Sequence, residues 1–243
     1  MMRTTTIINL RKFVFSLALV FTFFAVSGQN YVITNSSLDV GNPGGLRTAG
    51  DFTTTGGTEV LNGGTGSTIE NYWSASVALP FAFQFAGVTE THLIVNKNGL
   101  VSFDTTNAGT KVASNINNNT ALPNANLPNK TIAFFWEDTS TTTISTSDRV
   151  YTYTYGTAPN RQFMVHYYSF EVGIQSYCYW ALALDETTNK IHVVDMNYGG
   201  NPANYSGTVG IQENATSSWQ VVTPLNGTNG SPNIEMGIGG SSA

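Results

Sequence analysis

Hydrophobic and polar residues alternate along most of this chain with a period of two. VALPFAFQF, residues 77–85, is the plainest case. Val77, Leu79, Phe81, Phe83 and Phe85 share one face, and Ala78, Pro80, Ala82 and Gln84 take the other, the pattern of a half-buried strand. Pro80 has no N–H for a ladder, so this strand is expected at a sheet edge or a bulge. Further strands are read at Thr131–Trp136, Val150–Tyr155, Gln162–Phe170, Tyr177–Asp185, Ile191–Met196, Val209–Gln212 and Trp219–Val222. In LIVNKNGLVSF, two apolar runs flank Asn96-Lys97-Asn98-Gly99. Asn-Gly is favoured where both central turn residues take positive φ, so a tight hairpin is predicted, with Asn98-Gly99 setting its register. Leu93, Val95, Leu100 and Phe103 then supply core-facing or cross-strand contacts. ALALDETTNKIHVVD reads as a second hairpin, closed by Glu186-Thr187-Thr188-Asn189.

Short strands with a turn signal every ten or so residues predict an all-β fold, a single antiparallel β-sandwich of jelly-roll-like type. Residues 29–72 are read as a Gly/Thr-rich strand-and-loop segment of that domain, 73–236 as its core and 237–243 as a flexible tail. Two stretches break the alternation. Gly41–Thr68 is rich in Gly and Thr, and Asn107–Lys130 is rich in Asn and Pro. Both are expected as long loops at one end of the sandwich, or as partly disordered.

The first 28 residues follow a different rule. Arg3, Arg11 and Lys12 precede the apolar run Phe13–Val26, and Val26 and Gly28 stand at the small-residue positions before Gln29. That is a secretory signal peptide, with an apolar core short for a membrane span. The mature chain has no second apolar run of membrane length, and the expected location is secreted or at the cell surface. The formal net charge is −5, and losing three basic residues with the leader makes the mature chain more acidic still. Nothing there repays phosphate repulsion, so nucleic acid and anionic lipid are not expected partners. Cys178 is the lone cysteine; no intrachain disulfide is available, and the fold must rest on its core. Export from a bacterium fits that better than an animal ectodomain.

Candidate chemistry is sparse. Glu137 and Asp138 follow a strand and Asp148 closes the next loop. They are the set that would hold calcium, the one cofactor the residues suggest, although solvated loop carboxylates explain them better. As neighbours on a strand, Glu137 and Asp138 point to opposite faces unless the backbone bends, which weakens a glycosidase pair. His92, His166 and His192 lack metal-binding spacing, and Cys178 alternates with apolar residues as a buried thiol does. The aromatic pattern says more. Tyr151, Tyr153 and Tyr155 share one face of a strand, with Thr152 and Thr154 on the other; Tyr177 and Tyr179 share a face of another. Rings in a row suit sugar faces, while tyrosine is also simply a good strand former.

The order VNKNGLVSF, long loop, IAFFWEDT, then RVYTYTYGTAPNRQFMVHY resembles a secreted module found in surface proteins of gliding bacteria, often cargo of the type IX secretion system. It also resembles the extracellular NIDO domain of nidogen-like proteins, which shares the order VNxNGxxSF … IAxFWxD. The likeness covers Trp73–Val222. It implies a β-sandwich used in adhesion or beside other extracellular modules, and brings no catalytic residues. Type IX cargo ends in a C-terminal sorting domain, so for a chain stopping at Gly239-Gly240-Ser241-Ser242-Ala243 a missing C-terminal portion is the matching expectation. The resulting expectation is a non-catalytic recognition or adhesion module. Its partner would be a polysaccharide, or a cell-envelope or surface protein, met through the tyrosine faces. A jelly-roll glycan-active enzyme and a structural spacer of a larger surface protein are the alternatives.

Overall fold

The computed structural model describes residues 31–36, 55–62, 71–113, 116–117, 119–139, 148–172, 175–198, 207–220 and 233–238. Thirteen strands are seen there: β1 Tyr31–Ser36, β2 Thr58–Asn62, β3 Val77–Phe85, β4 Val88–Asn96, β5 Leu100–Ser102, β6 Thr131–Trp136, β7 Arg149–Tyr155, β8 Gln162–Val172, β9 Gln175–Asp185, β10 Ile191–Tyr198, β11 Thr208–Asn214, β12 Ser217–Gln220 and β13 Asn233–Ile238. One 3-10 turn, Thr105–Asn107, is capped by the Asp104 carboxylate. The signal-peptide reading lies outside the described residues, as does most of Gly41–Thr68.

Two antiparallel sheets face each other. One runs β1-β13-β10-β9-β8-β7-β2 and the other β12-β11-β6-β5-β4-β3. The chain lays β3 to β6 as a meander in the second sheet, β7 to β10 as a meander in the first, then returns for the β11–β12 hairpin. β13 enters last, between β1 and β10. It extends through Ile238, so the stretch read as tail begins inside a strand.

Alternation decides which side chains meet in the middle. Phe81, Phe83 and Phe85 of β3 join Leu93 and Val95 of β4, Val101 of β5 and Ile132 and Phe134 of β6. Across the gap lie Val150, Phe163, Val165, Tyr167, Trp180, Leu182 and Leu184. Fully burying each large side chain here contributes about 1.5–3 kcal/mol. Pro80 sits at an edge, as predicted, and the β3–β4 register slips between Ala78 and Phe83. Gln84 N–H donates to Asn189 Oδ1, tying that edge to the β9–β10 turn.

The outer face of the second sheet is also buried, which corrects one expectation. Asn107–Lys130 is not a loop at an end of the sandwich. Its Ile116, Leu122 and Leu127 pack over Trp73, Ile94, Leu100, Ala133 and Trp136. Leu93–Val95 of β4 and Leu100–Val101 of β5 are therefore apolar and buried on both faces, which is why LIVNKNGLVSF reads as continuous apolar runs rather than a clean alternation.

Candidate functional site

The Asn96–Gly99 turn is the first candidate, and its geometry makes it structural. Asn96 pairs with Leu100, leaving a three-residue loop, Lys97-Asn98-Gly99. Gly99 alone takes positive φ, at 77°; the Asn-Gly type with both residues at positive φ is not formed, and a left-handed Gly closing a longer loop takes its place. The turn is buried rather than displayed. Asn96 Nδ2 donates to Tyr72 O, and Asn98 N–H donates to Asn96 Oδ1. Asn98 Nδ2 donates to Asn117 Oδ1, while its Oδ1 accepts from Thr139 Oγ1. Lys97, only 1% exposed, donates from Nζ to Thr139 O at 2.8 Å. The Tyr167 hydroxyl donates to Asn96 O. VNKNG and FWEDT are thus partners, each satisfying the other's backbone, and Trp136 Nε1 anchors the covering segment at Ile116 O.

The tyrosines lie on the outer face of the seven-stranded sheet. Tyr151, Tyr153 and Tyr155 sit opposite His166, Met164 and Gln162 of β8. Their rings follow one another at 6.3 and 6.0 Å. Tyr151 and Tyr155 are half-buried, whereas Tyr153 is only 7% exposed. It packs with Met164, Ala181 and Ala183, approaches the His166 ring at 4.6 Å, and covers Gly57. A Cβ there would lie 2.4 Å from the Tyr153 ring. Burial, with Tyr155 and Tyr151 nearby, pushes the Tyr153 phenol up to about 12. Burial likewise raises Tyr155 and depresses the His166 imidazole to about 3, so it is neutral at pH 7. Tyr179 meets Tyr168 edge-on at 5.2 Å on the same face. The side chain of Tyr177 lies outside the described residues. The face is thus an aromatic layer with four half-open rings, Tyr151, Tyr155, Tyr168 and Tyr179, rather than a fully exposed platform.

Tyr153 also reaches an open cleft of about 780 Å³ on one side of the sandwich, between edge strands β2 and β3. Thr58, Thr152, Thr154 and Phe163 line one wall, and Ala75 to Pro80 the other. Sequence reading missed this cleft. The available signal was Pro80, which marked β3 as an edge. Glu59 also lines it, with Oε2 held by Arg149 Nε at 3.1 Å and Oε1 by Asn62 Nδ2.

Glu137 and Asp138 follow β6 and are half-buried; Asp148, 2% exposed, precedes β7. They flank residues 140–147, which lie outside the described part. Among the described residues, no three His, Cys, Asp or Glu side chains come together as a metal set. His166 lies on the outer face of β8, His192 is buried on β10, and His92 stands on β4 beside Thr91.

A family model described as NIDO related matches residues 46–238. No curated protein and no solved structure matches. The match spans the buried VNKNG–FWEDT network, the tyrosine face and the cleft alike.

Proposed function

The chain belongs to the NIDO-related family, whose domains are generally extracellular, and from that premise we propose a secreted, non-catalytic recognition or adhesion module. Its partner is a neutral polysaccharide or a cell-envelope protein. The observation carrying this reading is the tyrosine row: half-open Tyr151 and Tyr155 flank a buried Tyr153 that holds them in place. Rings locked by packing lose little entropy on contact, and each combines an apolar body with a polar tip. Only 10% of residues are charged, so the surface is suited to neutral partners. No helix among the described residues is long and apolar enough to cross a membrane. Export with the type IX cargo of gliding bacteria is part of the proposal and rests on motif order alone.

The test is a glycan array with the mature domain and a Tyr151→Ala/Tyr155→Ala variant. These two rings are chosen because Tyr153 is structural. Binding should be nearly indifferent to salt, since dispersion and apolar burial carry it, and should weaken in the variant. Release of reducing ends from any bound glycan would transfer the site to the enzyme reading. Retention of binding by the variant would remove the tyrosine row from the contact.

A further inference from the structure

The cleft between β2 and β3 has a chemistry of its own. On β7, Tyr151, Tyr153 and Tyr155 face outward, so Val150, Thr152 and Thr154 face inward. Thr152 and Thr154 stand opposite Val165 and Phe163, which belong to the core. Thr58 of β2 stands directly opposite Thr152. Thr152 is buried in the cleft wall, while Thr58, Thr154 and Ser76 are exposed along its opening. Thr152 is only 7% exposed. Among the described residues, no hydrogen bond engages the side-chain hydroxyl of Thr58, Thr152, Thr154 or Ser76, although all four line the cleft. Four hydroxyls at one open cleft, engaged by no group of the chain, stand ready to meet a polar ligand there.

We propose that this cleft binds a neutral saccharide chain, with its hydroxyls on Thr58, Ser76, Thr152 and Thr154 and its C–H faces on Val77, Leu79 and Phe163. A threonine or serine hydroxyl both donates and accepts, as a sugar hydroxyl does. The wall offers no free charge to match, because Glu59 is already held by Arg149 and Asn62. The volume falls within the range of small-ligand sites, roughly 300–1,000 Å³. An added peptide strand is the other occupant of a sheet edge, and the backbone disfavours it. The β3 ladder slips between Ala78 and Phe83 around Pro80, and the β2 ladder slips between Glu59 and Leu61. Neither edge presents a continuous row for pairing. The ligand class rests on the recognition reading above; the place of the site does not.

The experiment titrates the mature domain with short neutral gluco-, manno-, xylo- and galacto-oligosaccharides, read by protein NMR shifts and calorimetry. Thr152→Val/Thr154→Val removes two hydroxyls while keeping the strand, and Ser76→Trp fills the cleft from the opposite wall. The double variant should bind about tenfold more weakly, the loss of two modest hydrogen bonds, with unchanged melting. Ser76→Trp should abolish binding. The Tyr151→Ala/Tyr155→Ala variant runs beside them. If it loses binding while both cleft variants keep it, the cleft proposal is overturned and the recognition reading stands. If the wild type binds none of the oligosaccharides, the saccharide assignment of the cleft falls and the recognition reading keeps only a protein partner. If extended peptides displace the shifts at Thr152 and Thr154 while sugars do not, the cleft is a peptide site and the saccharide assignment fails.

Discussion

Gly99 offers the sharpest check on the structural argument. Its φ of 77° lies in the left-handed region, and a Cβ there would stand 2.0 Å from Phe135 O and 2.5 Å from Phe135 C. Two separate costs follow for Gly99→Ala. The left-handed backbone costs an L side chain about 1–2 kcal/mol. Displacing β6, an interior strand of its sheet, is overpacking against main chain and adds about 1–3 kcal/mol. The sum is centred on about 3.5 kcal/mol, and at roughly 2–4 °C per kcal/mol for a domain of this size the melting temperature should fall about 7–14 °C. Gly87 separates the two costs. Its φ is 78°, yet a Cβ there would meet nothing within 4 Å. Gly87→Ala should therefore show the backbone cost alone, a fall of about 2–8 °C. Thermal denaturation of the mature domain, followed by circular dichroism, measures both. If Gly99→Ala melts no lower than Gly87→Ala, the tight approach of the turn to β6 is wrong and the hairpin is closed some other way.

Acid should test the other end of the sandwich. Glu186 is held below the usual carboxylate range by Arg161, whose Nη2 and Nε reach it at 2.6 and 2.8 Å. Burial raises Asp185, but hydrogen bonds from Thr188 and Gln162 more than offset it and leave it depressed. Both groups therefore contribute stability that is complete above an unfolded pKa of about 4 and is lost as pH falls through the depressed folded values. Urea midpoints measured against pH should show a shallower acid limb in Glu186→Gln, and an unchanged slope would refute the assignment. If Glu137, Asp138 and Asp148 hold calcium, millimolar calcium should raise the melting temperature and chelator should lower it by mass action; no shift would leave them as loop carboxylates.

Local alternation was readable wherever it is strict. β3 and β7 to β10 emerge from period two because each has one face in the core. β1 and β13 did not emerge, since YVITNS and NIEMGI are short, partly polar and paired across nearly the whole chain. No local signal announces such a pairing. The covering role of Asn107–Lys130 was hidden for a related reason. Ile116, Leu122 and Leu127 are isolated among Asn and Pro, and only the sheet face beneath them makes them core. Asn96, Lys97 and Asn98 carry no sequence signal of burial, because polar residues are usually exposed. They are buried because the backbone of Tyr72, Ile116 and Thr139 needs partners. The tyrosine row was legible as a face, but how far each ring is covered depends on Met164, Ala181, Ala183 and Gly57 on other strands.

The two open sides of the sandwich differ, and the difference argues for where a partner can approach. At the β1–β12 side, Tyr31 bridges the sheets. Its ring meets Phe85 at 5.7 Å and Trp219 at 5.2 Å, and its oxygen accepts from Ala86 N–H. Burial first, with the Ala86 bond working against it, pushes its phenol up to about 12. Aromatic volume seals that side. At the β2–β3 side the corresponding positions carry Thr58, Ser76, Ala78, Thr152 and Thr154, small groups that cannot span the gap. One outer face is covered by Ile116, Leu122 and Leu127, and the other by the tyrosine layer. A partner that avoids unfolding any of these is left the half-open rings of Tyr151, Tyr155, Tyr168 and Tyr179 and the cleft beside the first two. Tyr153 belongs to both, so replacing it should perturb packing and binding together, whereas Thr152→Val/Thr154→Val should separate them.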